Sequence, residues 1–221
     1  MNMATRSDAD GETVLILDDD PLVRDSLQTL LRSVGLNTQC YASAREVLGS
    51  PPAATATCMV VDIRMPHIGG LEFQKKLVDR GDPTPIIFMT GHGDIAMSVR
   101  AMKAGAVDFL CKPFRDQEML DAISFALRRD RERRTAEDER LQACERYALL
   151  TRREIDVLKG VLGGLLNKQI AANLGIAEVT VKLHRSSVMK KMCARTVPDL
   201  VRSAQLIDFP PGDKDQWRPV L

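Results

Sequence analysis

Four apolar residues at 14–17 run without alternation straight into Asp18, Asp19 and Asp20. Such a run suits a strand buried on both faces. Pro21 stands where a first helical residue would, with Asp20 before it as a cap, and neither needs an intrahelical partner there. Leu22, Val23, Leu27, Leu30, Leu31 and Val34 then recur at helical spacing until Gly35 stops them. The pattern therefore predicts a strand followed by a helix.

The same alternation recurs down the chain. Residues 36–41 read as a weaker strand, and Ser43 with Glu46 has capping-box spacing for a short helix. An apolar run at 58–61 ends in Asp62, and a loop through Gly69 and Gly70 leads to a helix near 71–79. Residues 86–89 end in Thr90, followed by a helix from about 94 to 104 closed by Gly105. Residues 108–111 end in Lys112-Pro113, and a fifth helix starts near Asp116. Strands that alternate with helices predict a parallel sheet covered on both faces. The fold class expected is thus α/β, doubly wound, with a five-stranded parallel sheet over residues 13–127.

Beyond Leu127 the pattern changes. Residues 128–146 are dominated by charge, and read either as an exposed helical linker continuing the fifth helix or as a solvated tether. From Tyr147 to about residue 207 the periodicity is helical throughout, which predicts a small all-α domain. Residues 1–12 read as a frayed, disordered N-terminus, and 208–221 as a tail.

Charge sharpens this division. The whole chain has a formal net charge of only +1. Residues 1–127 nevertheless carry 12 Lys and Arg against 17 Asp and Glu, while 151–221 carry 12 against 7. An acidic first part joined to a basic last part fits a regulatory domain coupled to one that binds a polyanion. The five cysteines form no close pairs, and with three histidines spread along the chain a zinc site is not expected. No signal-peptide core or membrane-length apolar run is present, so a cytoplasmic protein that stays off the membrane is expected.

Open parallel sheets gather their functional groups beyond the carboxyl ends of the strands. Each apolar run ends in a polar residue at that edge: Asp18 and Asp19, Asp62, Thr90, Lys112. Three carboxylates beside one lysine are poorly balanced, and Mg²⁺, which prefers few carboxylates plus water and phosphate oxygens, suits them. Asp20 is better placed as a helix cap. His67 and His92 fall in loops at the rim of this crevice.

This constellation, with Val-Val-Asp62-Ile-Arg-Met-Pro, Phe-Met-Thr90-Gly-His-Gly-Asp and Lys112-Pro113-Phe114, resembles the receiver domain of two-component response regulators. The resemblance implies a flavodoxin-like sheet of order 2-1-3-4-5. It also implies that Asp62 accepts a phosphoryl group from a sensor histidine kinase, with Mg²⁺ held by Asp19, Asp62 and the backbone carbonyl of Arg64, and by Asp18 largely through water. Lys112 would pair with the phosphate. Thr90 and Phe109 would form a switch pair, although Phe109 reads equally well as ordinary core. The bond before Pro113 is a candidate for the cis form.

In the basic part, Thr151 and Glu154 have capping-box spacing, and Gly175 separates two helical runs as in a helix-turn-helix. In the helix predicted near 178–192, Val181, Val188 and Met192 share an inward face. The opposite face carries Leu183, Ser186 and Lys190, flanked by Lys182 and Ser187. Residues 150–206 resemble the LuxR-type DNA-binding domain of the NarL/FixJ class. By that resemblance Lys182, Leu183 and Ser186 would face bases of double-stranded DNA, with Lys190 on the same face. Lys168, Thr180 and Arg185 would meet phosphates, and the last helix would serve in dimerisation. Ala177 departs from the serine frequent at that turn, removing a cap or phosphate contact.

The whole then reads as a transcription factor, not an enzyme, which dimerises on phosphorylation and works with RNA polymerase. A metal-dependent phosphohydrolase using Asp62 is the rival, but neither a substrate pocket nor a positioned base is apparent for it.

Overall fold

The computed structural model describes residues 11–49, 56–91 and 95–209. Residues 1–10, His92, the predicted helix start at 94 and the tail from 210 lie outside that range. The chain divides into two compact units between Arg133 and Arg134.

In the first unit, β1 (Thr13–Leu17), β2 (Asn37–Tyr41), β3 (Cys58–Asp62), β4 (Ile86–Thr90) and β5 (Asp108–Cys111) form one sheet of order β2-β1-β3-β4-β5. Every pairing is parallel. That is the order the resemblance implied. β1, β3 and β4 are buried along their length, so continuous apolar runs are what their environment demands. The edge strands β2 and β5 are only half-buried, which explains their weaker apolar patterns.

α1 (Pro21–Ser33) and the first part of α5 (Asp116–Ala148) cover one face of the sheet through Leu27, Leu31, Met119 and Ile123. α2 (Ala44–Gly49), α3 (Gly70–Asp79) and α4 (Ile95–Lys103) cover the other through Val47, Phe73, Leu77 and Ala101. α3 starts one residue earlier than its apolar pattern indicates, at Gly70. A Cβ there would stand 2.7 Å from the Asp62 carbonyl oxygen, so only glycine lets this helix start so close to the end of β3.

Gln74 on α3 is fully buried beside the end of α4. Its Nε2 donates to the carbonyls of Ala101 (3.4 Å) and Ala104 (3.1 Å). Its Oε1 is buried and has no hydrogen-bond partner among the described residues.

α5 is an uninterrupted helix of 33 residues. The charged stretch is therefore helical, and i,i+3 pairs such as Arg133–Asp130 (2.8 Å) and Arg140–Glu137 (3.1 Å) line it.

The second unit packs α6 (Arg152–Leu162), α7 (Asn167–Leu174), α8 (Glu178–Lys191) and α9 (Val197–Leu206) around Val157, Leu158, Ile170, Val181, Val188, Met192 and Leu200. Gly160 permits α6 and α7 to touch, since a Cβ there would lie 2.7 Å from Ile170 Cγ1. Gly175, at φ 64°, ends α7 in the left-handed conformation and turns the chain into α8.

Candidate functional site

Register carries the polar strand ends to one edge. Asp18 directly follows β1, Asp62 closes β3, Thr90 closes β4 and Lys112 follows β5. Lys112 Nζ lies 2.6 Å from Asp18 Oδ2 and 2.9 Å from Asp62 Oδ1. The second oxygen of each carboxylate accepts a backbone N–H, from Asp20 at 2.9 Å for Asp18 and from Arg64 at 2.7 Å for Asp62. Two buried anions thus share one ammonium, held at fixed angles by their own turns. Burial pushes the Asp18 carboxyl above its ordinary value, and the bonds from Lys112 and Asp20 offset this only in part. For Lys112 burial works the other way, but the bonds to Asp18 and Asp62 outweigh it and hold the ammonium above its usual range.

The remaining expected residues are distributed around this pair. Asp19 and Arg64 are exposed at the rim. Among the described residues no three His, Cys, Asp or Glu side chains are gathered as a ready cation cage. Asp20 caps α1, its Oδ1 accepting from Leu22 N at 2.9 Å. Thr90 is fully buried, and its carbonyl accepts from Lys112 N at 2.7 Å. Phe109 is half-buried against the core on the α3–α4 side of the sheet. The Lys112–Pro113 bond is cis. His67 adopts a positive φ of 66° in its loop.

One residue of this site was not apparent from the sequence. Arg24 Nη1 donates to the carbonyls of Asp18 (2.7 Å) and Asp19 (3.0 Å), clamping the turn that presents both carboxylates. The only signal was its place one turn into the helix that follows the acidic run.

In the second unit, Val181, Val188 and Met192 point into the core as expected, and Lys182, Leu183, Ser186 and Lys190 are exposed on α8. Lys168 is exposed on α7 and Thr180 half-buried. Lys182 pairs with Glu178 one turn earlier at 3.0 Å. Arg185 Nη1 donates to Asn167 Oδ1 at 2.9 Å and so ties α8 to the start of α7. Ala177 is the N-cap of α8 and supplies no side-chain bond, in keeping with its departure from serine.

Ser187 differs from the expectation that it flanks the outer face. It turns inward and donates to Glu154, because that buried carboxylate needs donors. Glu154 Oε2 also accepts from Lys191 Nζ at 2.7 Å and from Thr151 N at 2.7 Å. Burial opposes its ionisation, but the bonds from Lys191, Ser187 and Thr151 bring the carboxyl down to about 2.

An acidic edge on a 2-1-3-4-5 sheet and a helical unit with a lysine-bearing outer face stand in one chain, and each matches a known family. Residues 14–124 match the family model of the response regulator receiver domain, and 148–204 that of the bacterial regulatory proteins of the luxR family. The chain belongs to the two-component response regulators of the NarL/FixJ class, a family of transcription regulators that bind DNA and answer to a sensor kinase.

It is 48% identical over 203 residues to nodulation protein W of Bradyrhizobium diazoefficiens, covering 92% of this chain and 89% of that one. With transcriptional regulatory protein FixJ of Azorhizobium caulinodans it shares 44% over 200 residues, 90% of this chain and 95% of that one. Among solved structures, a low-resolution structure of the response regulator StyR aligns with a TM-score of 0.81 at 45% identity, over 88% of this chain and 98% of that one. Full-length FixJ from B. japonicum aligns with a TM-score of 0.56 at 38% identity, over 89% and 97%. No described helix is long and apolar enough to cross a membrane.

Proposed function

We propose that Asp62 is the phosphoryl acceptor of this regulator, and that its modification promotes homodimerisation and operator binding. The observation that carries the reading is the Lys112 ammonium bridging Asp18 and Asp62 at the carboxyl edge of the sheet. In the transfer, the bond from a kinase histidine nitrogen to phosphorus breaks as one forms from an Asp62 carboxylate oxygen. Lys112 stands beside the place where the transferred charge arrives. The Arg64 N–H and Lys112 Nζ fix the orientation of the Asp62 carboxylate, so it need not be ordered at the moment of reaction.

The donor set fits Mg²⁺. Two buried carboxylates matched by one ammonium leave an excess negative charge, and the oxygens available are hard. Asp19, Asp62 and the Arg64 carbonyl would hold the ion, with Asp18 acting largely through water. When bound, it supplies neutralisation of the phosphoryl oxygens. Thr90 and Phe109 would pass the change on, the hydroxyl turning toward the new phosphate and the ring moving behind it.

At the other end of the chain, Lys182, Leu183, Ser186 and Lys190 would enter the major groove. Lys168, Thr180 and Arg185 would meet phosphates. RNA polymerase is the expected further partner, and the cytoplasm the expected compartment. The test uses acetyl phosphate with Mg²⁺ on the full chain, read by intact mass and by DNA affinity. Wild type should gain one phosphoryl group and bind DNA more tightly, while Asp62→Ala should do neither. If the donor leaves wild-type affinity unchanged, the switch is wrong. Lys168→Ala should lower the magnitude of the salt slope of binding by about one, and Lys182→Ala should weaken binding and flatten its salt dependence.

A further inference from the structure

α8 exposes an aliphatic pair that the reading above uses only in part. Val179 is 63% exposed and Leu183 68%, one helical turn apart and therefore on one face. Neither joins the apolar core, to which the same helix gives Val181, Val188 and Met192. A branched side chain loses rotamer freedom in a helix, so valine is a poor choice for a first turn in water. Here it gains no burial in return. Beside the pair runs a charged row, Glu178 and Lys182 joined at 3.0 Å, which Ser186 continues.

We infer that Val179 is a specificity-determining residue which, with Leu183, reads the C5-methyl groups of two thymines in the operator. This rests on the reading of α8 as the groove-entering helix. In the major groove the one apolar group on any base edge is the thymine methyl, and aliphatic side chains are its natural partners. Four residues along a helix advance about 6 Å, and base pairs are stacked about 3.4 Å apart, so the two thymines lie within about two steps of each other. Contact with those methyls removes from water the aliphatic surface that the free protein leaves exposed.

The test starts by selecting duplexes from a random-sequence pool with the full chain, acetyl phosphate and Mg²⁺ present. Each thymine of the selected site is then replaced singly by deoxyuridine, which lacks only the methyl group. For wild type, replacement at two neighbouring thymines should weaken binding about fourfold each, the value of one buried methyl-sized group. One of these losses should vanish in Val179→Ala and the other in Leu183→Ala. Val179→Thr, which keeps the shape and one methyl, should retain part of the discrimination.

If Val179→Ala answers every deoxyuridine replacement as wild type does, while Lys182→Ala still weakens binding, the inference is overturned and the groove-reading role of α8 stands. If neither Lys182→Ala nor Val179→Ala alters affinity or the selected sequence, both fall together.

Discussion

Each unit of this protein is organised around a buried carboxylate and a lysine, yet the two arrangements are opposite in balance. At the sheet edge Asp18 and Asp62 share Lys112, so anion exceeds cation. In the helical unit Glu154 alone receives Lys191, Ser187 and the Thr151 N–H. Burial raises the Asp18 carboxyl and its bonds offset that only in part, whereas at Glu154 the bonds outweigh burial and hold the carboxyl well below the ordinary range. An under-compensated cluster is poised to accept charge from outside. A fully compensated one only holds helices together. Acidity and burial alone would not tell the two apart; the ratio of donors to carboxylates does.

That contrast can be broken by equivalent changes at the two places. The largest effect is expected from Glu154→Gln, which takes the counter-charge from Lys191 and removes charge from three hydrogen bonds. It should lower the stability of the second unit by about 2–3 kcal/mol, read from denaturant unfolding. The same residue sets an acid limb. Its carboxyl lies near 2 in the folded chain against an ordinary 4.5, so its contribution is complete above about pH 4.5 and disappears as pH falls toward 2. Wild type should lose stability across that window more steeply than Glu154→Gln, and parallel curves would refute the assignment.

Asp18→Asn is the matching change at the sheet edge, and the expected sign is reversed. With a chelator present to remove divalent cations, it should raise the stability of the first unit by about 1 kcal/mol, because a buried charge that its bonds only partly offset is gone. A loss would mean that Lys112 already balances both acids. The smallest effect is expected at the exposed pair, where Glu178→Gln should change the melting free energy by less than about 0.5 kcal/mol. A larger change would show that exposure does not separate the pair on α8 from the buried bridges.

Much of this was legible in the linear pattern. Apolar runs that end in Asp18, Asp62, Thr90 and Lys112 can be aligned at one edge because strands in a parallel sheet all point the same way. The inward face of α8 followed from its period. What could not be read was convergence between distant residues on different elements. Glu154 looked like half of a capping box, and its bonds to Ser187 and Lys191 span 33 and 37 residues. Arg185 on Asn167 is likewise a tertiary fact, while Arg24 on the carbonyls of Asp18 and Asp19 is local but has no sequence motif to announce it. The charged stretch after Leu127 left helix and tether open, since its few apolar residues give no stripe to arbitrate.

Gln74 carries a lesson for anyone wishing to harden this protein. Its stranded carbonyl makes Gln74→Met an attractive replacement, similar in volume and free of an unsatisfied acceptor. A screen ranked on heat resistance would retain that variant. The Ala104 carbonyl would then lose the amide that ties the end of α4 to α3, so ruggedness would be gained by unfastening the helix that directly follows the strand of Thr90.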